Sequence, residues 1–336
     1  MSNSHKAWIY NHEGYPRGLS QATQSTPSTL SPKEVRVRVK AAAINPVDIQ
    51  LMNLPIWPYL PTFVANPTHV SAEDFSGIVE AAGQESGYKA GDEVFGMVNI
   101  LATGTLQEII QFDASNTPLT LKPSTWSWEQ AAALPLVYLT ARTVIASVEP
   151  FVASTKKPKV AVLGGSSSTG IYMVHLAASR GWDVLASCSG RNADFVREMG
   201  ARDIIDYTAA SVPKRVRAFN PDAIIDCVGG TECLGLARRY VTIVGDKTSR
   251  ANMGGAATYL WNPRMFLRSL AGRYGLSESY DCVNLEMKKE YLEETLRLPT
   301  DKIIIDSTFS FNEAEQAFER LNTSRARGKV VIKVSG

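Results

Sequence analysis

Lys159-Val-Ala-Val-Leu-Gly-Gly-Ser-Ser-Ser-Thr-Gly-Ile-Tyr-Met-Val-His-Leu-Ala-Ala178 reads as a buried strand, a tight turn of small residues and a helix with an apolar face. The valine-rich run from Val160 to Leu163 suits a parallel strand covered on both sides. Gly164, Gly165 and Gly170, with Ser166, Ser167, Ser168 and Thr169 between them, let backbone N–H groups approach a phosphate where the helix begins. The helix dipole and its unpaired donors favour an anion there. The turn lacks strict G-x-G-x-x-G spacing, so the segments that follow must carry part of the argument.

About twenty residues on, Val184-Leu-Ala-Ser-Cys forms a second short strand ending in Ser189-Gly190-Arg191-Asn192. An NAD-binding unit usually offers a carboxylate here to the ribose 2′-hydroxyl. This stretch carries a hydroxyl and a guanidinium instead, a combination that suits a 2′-phosphate and therefore NADPH. Arg191 also reads as a solvated loop charge. Three more apolar strands follow, Asp203-Ile-Ile-Asp-Tyr, Asp222-Ala-Ile-Ile-Asp-Cys and Tyr240-Val-Thr-Ile-Val-Gly-Asp, separated by helical stretches. Strands and helices alternating in this way predict an α/β fold with a doubly wound parallel sheet. Ligands of such sheets lie at the carboxyl ends of the strands, which places Tyr207, Cys227, Val228, Val244 and Gly245 beside the nucleotide. Each also reads as ordinary strand termination.

The composition fits that class. The chain has 336 residues, enough for two ordinary domains, of which 44% are hydrophobic and 20% charged. A net charge of +2 recommends neither nucleic acid nor an anionic membrane as partner. No run approaching the roughly 18 apolar residues of a membrane span is expected, and the N-terminus shows no signal-peptide core. Cys188, Cys227, Cys233 and Cys282 have no metal-ligand spacing, and a reduced, cytoplasmic location is the expectation.

Outside this region the pattern changes. Glu34-Val-Arg-Val-Arg-Val-Lys alternates perfectly, as in a strand with one wet face. Ser76 to Gly83, Asp92 to Val98 and Gly104 to Ile110 read as further strands of a curled or barrel-like sheet, and Ser20 to Ser31 as a polar loop. Thr125 to Val148 reads as one helix opening on Ser127-Trp-Glu-Gln, and Met287 to Leu298 as a charged helix. The last strand, Gly328-Lys-Val-Val-Ile-Lys-Val, is expected to rejoin the β-rich part. The expected domains are therefore 1–124 and 286–336, enclosing a nucleotide-binding domain at 125–285, with the active site in the cleft between them.

Four blocks in this order resemble the medium-chain dehydrogenase/reductase superfamily. They are Ala41-Ala-Ala-Ile-Asn-Pro-Val-Asp-Ile-Gln, Asp74-Phe-Ser-Gly-Ile-Val-Glu-Ala-Ala-Gly with Tyr88-Lys-Ala-Gly-Asp-Glu-Val-Phe-Gly, Ala131-Ala-Ala-Leu-Pro-Leu-Val-Tyr-Leu-Thr-Ala, and Phe311-Asn-Glu-Ala-Glu with Gly328-Lys-Val-Val. The likeness is greatest to the zinc-independent, quinone oxidoreductase-like branch, which includes fungal enoyl reductases. It implies a Rossmann-type sheet inserted into a GroES-like catalytic domain. Zinc-dependent relatives carry Cys, His and Cys where this chain has Asn45, the neighbourhood of Glu73, and Leu136. Those three residues do not make an N/S zinc site, so no metal is expected.

The resemblance implies NADPH-dependent reduction of activated C=C bonds in enones and enoyl groups, or of quinones. The substrate would be a small hydrophobic molecule, and fungal secondary metabolism is a candidate setting. Asn45 and Asp48 would lie near the nicotinamide ribose and catalytic cleft, Thr140 near the nicotinamide ring, and residues Gly164 to Gly170 around the pyrophosphate. Ser189, Arg191 and Tyr207 would bind the 2′-phosphate. By local pattern alone, Asn45 is a turn residue before Pro46 and Asp48 a helix cap. Tyr59, His69 and Tyr138 are the nearest candidate proton sources, with Tyr59 preferred and water an alternative. A homodimer, a trans-acting role beside a polyketide synthase, and a non-catalytic NADPH-binding sensor stay open.

Overall fold

A computed structural model describes residues 4–11, 13–54, 68–99, 103–246, 255–260 and 262–335. The chain divides into unit 1 (1–136 and 287–336) and unit 2 (137–286). The segment 125–136, expected in the nucleotide domain, thus belongs with unit 1.

Unit 1 opens with β1 (Ser4–Tyr10), β2 (Ser20–Ser25), β3 (Glu34–Ile44), α1 (Pro46–Met52), β4 (His69–Val70), β5 (Asp74–Ala82), β6 (Glu93–Met97), β7 (Ile109–Asp113), β8 (Leu119–Leu121) and α2 (Trp128–Ala132). Unit 2 carries most of α3 (Pro135–Val152), then β9 (Lys159–Leu163), α4 (Gly170–Ser179), β10 (Asp183–Cys188), α5 (Ala193–Glu198), β11 (Asp203–Asp206), α6 (Val212–Phe219), β12 (Ala223–Asp226), β13 (Arg239–Thr242), α7 (Pro263–Arg273) and β14 (Ser279–Cys282). Unit 1 closes with α8 (Lys289–Glu293), β15 (Ile305–Ser310), α9 (Ala314–Asn322) and β16 (Lys329–Lys333).

Among the described residues, unit 1 forms a small sheet in the order β2-β1-β4 and a larger one in the order β15-β16-β3-β5-β6-β8, with β7 also pairing β3. The alternation in β3 does what its sequence dictates: Val35, Val37 and Val39 are fully buried, while Arg38 reaches Glu80 on the wet face of β5. The C-terminal strand β16 pairs antiparallel with β3, Val331 opposite Ala43, and so returns to this unit as expected.

The sheet of unit 2 runs β11-β10-β9-β12-β13-β14, with every neighbour parallel. Strand order therefore reverses between β9 and β12, the point at which doubly wound sheets bind ligands. Beneath the sheet, Ala161, Leu185, Ile205, Ile224, Tyr240 and Tyr280 pack into one apolar cluster, the two tyrosines stacked with ring centroids 5.7 Å apart.

Several local expectations need correction. Ser20–Ser25 is a strand rather than loop, because its backbone pairs with β1 from Ser4 to Ile9 despite its polar letters. Gly104 to Glu108 is irregular, and the strand begins at Ile109. The helix over Thr125 to Val148 is two helices, since Pro135 cannot donate to the preceding turn and starts α3 afresh. The charged helix is shorter, α8 passing into a 3-10 turn at Glu294. β14 is a sixth strand that the sequence reading missed. One window does reach membrane-span length, within Trp128–Val152, but 78% of it is buried inside the protein.

Candidate functional site

In unit 1, α1 begins where Pro46, with its fixed φ and missing N–H, is best tolerated. The carboxylate of Asp48 accepts from the Asn45 N–H at 2.6 Å and the Ala72 N–H at 3.1 Å. It caps α1 and ties that helix to the residue two before β5. Ala72 itself lies at φ 66°, a left-handed conformation uncommon outside glycine. The Asn45 side chain also joins β5 and β16. Its Nδ2 donates to Asp74 Oδ2 at 2.9 Å, and its Oδ1 accepts from Lys329 Nζ. Lys329 Nζ also meets Asp74 Oδ2 at 2.7 Å, while Asp74 Oδ1 accepts from the Leu136 N–H at 2.7 Å.

The cluster is dry. Asn45, Asp48, Glu73, Asp74 and Lys329 are all 5% exposed or less. Burial pushes the Asp48 carboxyl up to about 7 against the pull of its two N–H donors and the Lys329 ammonium, and burial with the charges of Asp48 and Asp74 holds Glu73 well above the usual carboxyl range. Asn45 and Asp48 thus lie in one buried cluster, and Asp48 is the helix cap that local pattern gave. Asp74 and Lys329 had no role in the sequence reading. A lysine leading into the apolar run of β16 was the available signal, since lysine is almost never fully buried unless paired.

Of the expected proton sources, Tyr59 lies outside the described residues. His69 stacks on Tyr10 at 5.3 Å, and Tyr138 is buried edge-to-face against Tyr172 at 5.8 Å. Thr140 is 8% exposed on α3.

In unit 2 the turn leaves β9 at Gly164, whose φ of 81° and whose closeness to Val228 Cγ1 (2.4 Å from a would-be Cβ) both require glycine. A Cβ on Gly170 would lie 2.3 Å from the Gly164 carbonyl, so glycine alone lets α4 start so near the strand. The turn is internally bonded. Gly164 and Gly165 N–H donate to the Ser187 hydroxyl and carbonyl, Ser167 N–H to the Gly164 carbonyl, and Gly170 N–H to the Ser167 hydroxyl. Ser166, Ser168 and Thr169 are half-buried.

Cys227 and Val228 follow β12 at the strand reversal. Burial pushes the Cys227 thiol up, so it stays protonated, and its Sγ rests 3.3 Å from Met173 Sδ. Val228 is 52% exposed over Gly164. Val244 and Gly245 N–H both donate to the Thr242 hydroxyl, which in turn donates to buried Asp226. The ends of β10 and β11 lie side by side, Cys188 opposite Asp206. That register brings Ser189, exposed Arg191 and exposed Tyr207 to one edge of the sheet. It also brings a carboxylate that the reading of β10 alone did not contain. Asp206 accepts from the Gly190 and Thr208 backbone and the Thr208 hydroxyl, which hold its pKa below the usual range.

Among the described residues, no three His, Cys, Asp or Glu side chains converge as metal ligands would. Residues 31–122 match the family model described as alcohol dehydrogenase GroES-like domain, and residues 199–332 that described as zinc-binding dehydrogenase. The mitochondrial NAD(P)H oxidoreductase of Mus musculus is 30% identical over 358 residues, covering 98% of this chain and 89% of the mouse protein. The quinone oxidoreductase of Coxiella burnetii has the same fold, with a TM-score of 0.76 at 24% identity over 99% and 100% of the two chains. That of Escherichia coli, solved with NADPH, gives 0.73 at 19% over 98% and 99%. Two matched domains and a relative aligned along nearly its whole length place the chain in the medium-chain dehydrogenase/reductase superfamily, among its zinc-independent, quinone oxidoreductase-like members.

Proposed function

We propose that this protein is an NAD(P)H oxidoreductase that prefers NADPH and reduces quinones or the activated C=C bonds of enones without a metal ion. The observation that carries this reading is the strand-turn-helix at Gly164–Gly170, on the strand where sheet order reverses, with Ser189, Arg191 and Tyr207 gathered at the neighbouring strand ends. The residues fit a dinucleotide. The cradle beside Gly164 and Gly170 is one that a Cβ would fill, and the edge carrying Arg191 presents a guanidinium and two hydroxyls. With four turn N–H groups used internally, the side chains of Ser166 and Thr169 are polar groups through which the turn meets a pyrophosphate. Names of similar proteins, NAD(P)H oxidoreductase and quinone oxidoreductase, support the same class.

When bound, the reduced nicotinamide supplies a hydride. The chain's part is to hold the nucleotide, orient the acceptor and deliver a proton. NADPH is preferred because Asp206, the carboxylate nearest Gly190, is already committed to Thr208 and Gly190, whereas Arg191 is solvent-exposed and available for a phosphate. A charge-assisted contact contributes about 1.5–3 kcal/mol. Arg191→Ala should therefore raise the KM for NADPH by roughly ten- to a hundredfold and leave that for NADH nearly unchanged. Equal effects on the two nucleotides would contradict the preference.

A further inference from the structure

Three buried carboxyl groups stand together in unit 1, and two of them are fully engaged. Asp74 is held by Lys329, Asn45 and the Leu136 N–H, and Asp48 by the Asn45 and Ala72 N–H groups. Glu73 is the exception. It is 5% exposed, and its Oε1 has no hydrogen-bond partner among the described residues. Its backbone is fixed, the carbonyl accepting from the Val98 N–H at 3.0 Å. Glu73 is among the residues that line a pocket of about 10 Å³, with Tyr10, Asp48, Ala72, Thr103 and Gly104. That is room for one water-sized group, such as a single oxygen atom.

The groups facing Glu73 are Asp48 on α1, Asp74 beside it on β5, Lys329 on β16, Tyr10 on β1 and, stacked on Tyr10, His69 on β4. The Lys329 ammonium is bound to Asp74 and Asn45. Two further charges would therefore share a buried pocket without a cation of their own, and Asp48 and Glu73 retain a proton between them. Geometry says where it rests. Two N–H donors stabilise Asp48 as the carboxylate, and the unpaired oxygen of Glu73 leaves that residue as the acid.

We propose that neutral Glu73 meets the oxygen of an uncharged quinone or enone in this pocket and gives it the proton that completes the reduction. The proposal rests on the oxidoreductase reading above. In this step the Glu73 O–H bond breaks and its electron pair stays on the carboxylate. The proton forms an O–H bond on the substrate oxygen, whose negative charge balances the hydride received, and solvent later restores the acid. Carboxyl groups crowded around one committed ammonium disfavour anionic acceptors, so the substrate class is neutral.

The test begins with nucleotide-free protein. Infrared difference spectra at neutral pH should contain a protonated-carboxyl band in the wild type that Glu73→Gln removes; identical spectra would overturn the proposal. With NADPH and a neutral quinone, the variant should lose about a hundredfold in kcat and keep its nucleotide affinity. An unchanged rate would overturn the proposal while leaving the parent reading intact. A wild type that oxidises no NADPH with any quinone or enone would overturn the parent reading instead. If the variant melts early, the wild type alone decides. As pH rises, the carboxyl band and kcat should disappear together, and a kcat that persists after the band is gone would overturn the assignment.

Discussion

Lys329 and Asp74 are 2% and 0% exposed at their side chains, so neither charge has water to fall back on. Removing one partner of such a pair leaves the other buried and uncompensated, at a cost of about 3–5 kcal/mol. Asp74→Ala should therefore destabilise the protein by about that much, with lost acceptors for Asn45 and the Leu136 N–H adding to it; a denaturant melt reads the loss, and a change below 1 kcal/mol would contradict it. Glu73 adds a pH dependence of opposite origin. Its folded pKa is raised, so above the ordinary carboxyl range the folded state holds more protons than the unfolded state, and stability falls as pH rises. Relative to Glu73→Gln, the wild type should lose ground steadily from about pH 4 upward. At this scale the sequence was half legible. Asn45 and Asp48 stood in a recognisable block, but the side-chain partners of Asn45, Asp74 and Lys329, are 29 and 284 residues away, and no local pattern announces a contact of that span.

At the scale of elements, the turn from β9 into α4 is tightly constrained. Gly170→Ala would push a Cβ against the Gly164 carbonyl and the Ser167 hydroxyl, 2.3 and 2.7 Å away. Backbone cannot yield there as a flexible side chain would. The variant should bind NADPH at least about tenfold more weakly and melt earlier by roughly 1–3 kcal/mol, as fluorescence titration and thermal unfolding would show. Wild-type affinity would mean that the turn does not hold the nucleotide. This element was readable because its glycines and valines obey local rules. The capping box at Ser127 and Gln130 was readable for the same reason. β2 and β14 were not, since Ser-Gln-Ala-Thr-Gln-Ser and Ser-Tyr-Asp-Cys become strands through pairing with β1 and β13, a tertiary effect that outweighs local propensity.

Over the whole molecule, the chain leaves its β-rich unit, builds a six-stranded parallel sheet, and returns through β16 to pair with β3. Five of the six parallel strands were visible as short apolar runs, and their alternation with helices gave the doubly wound class, while the order of the strands came only from the structure. The return of β16 was visible as a valine-rich strand after a helix. The proposed function draws on two parts on separate units: a nucleotide turn and a buried acid cluster. Its most direct test is to mix the metal-chelated protein with NADPH and a panel of neutral quinones and enones, following the absorbance of the reduced nicotinamide. The account predicts many turnovers with at least one acceptor, faster with NADPH than with NADH; nucleotide that binds yet stays reduced against every acceptor would contradict it.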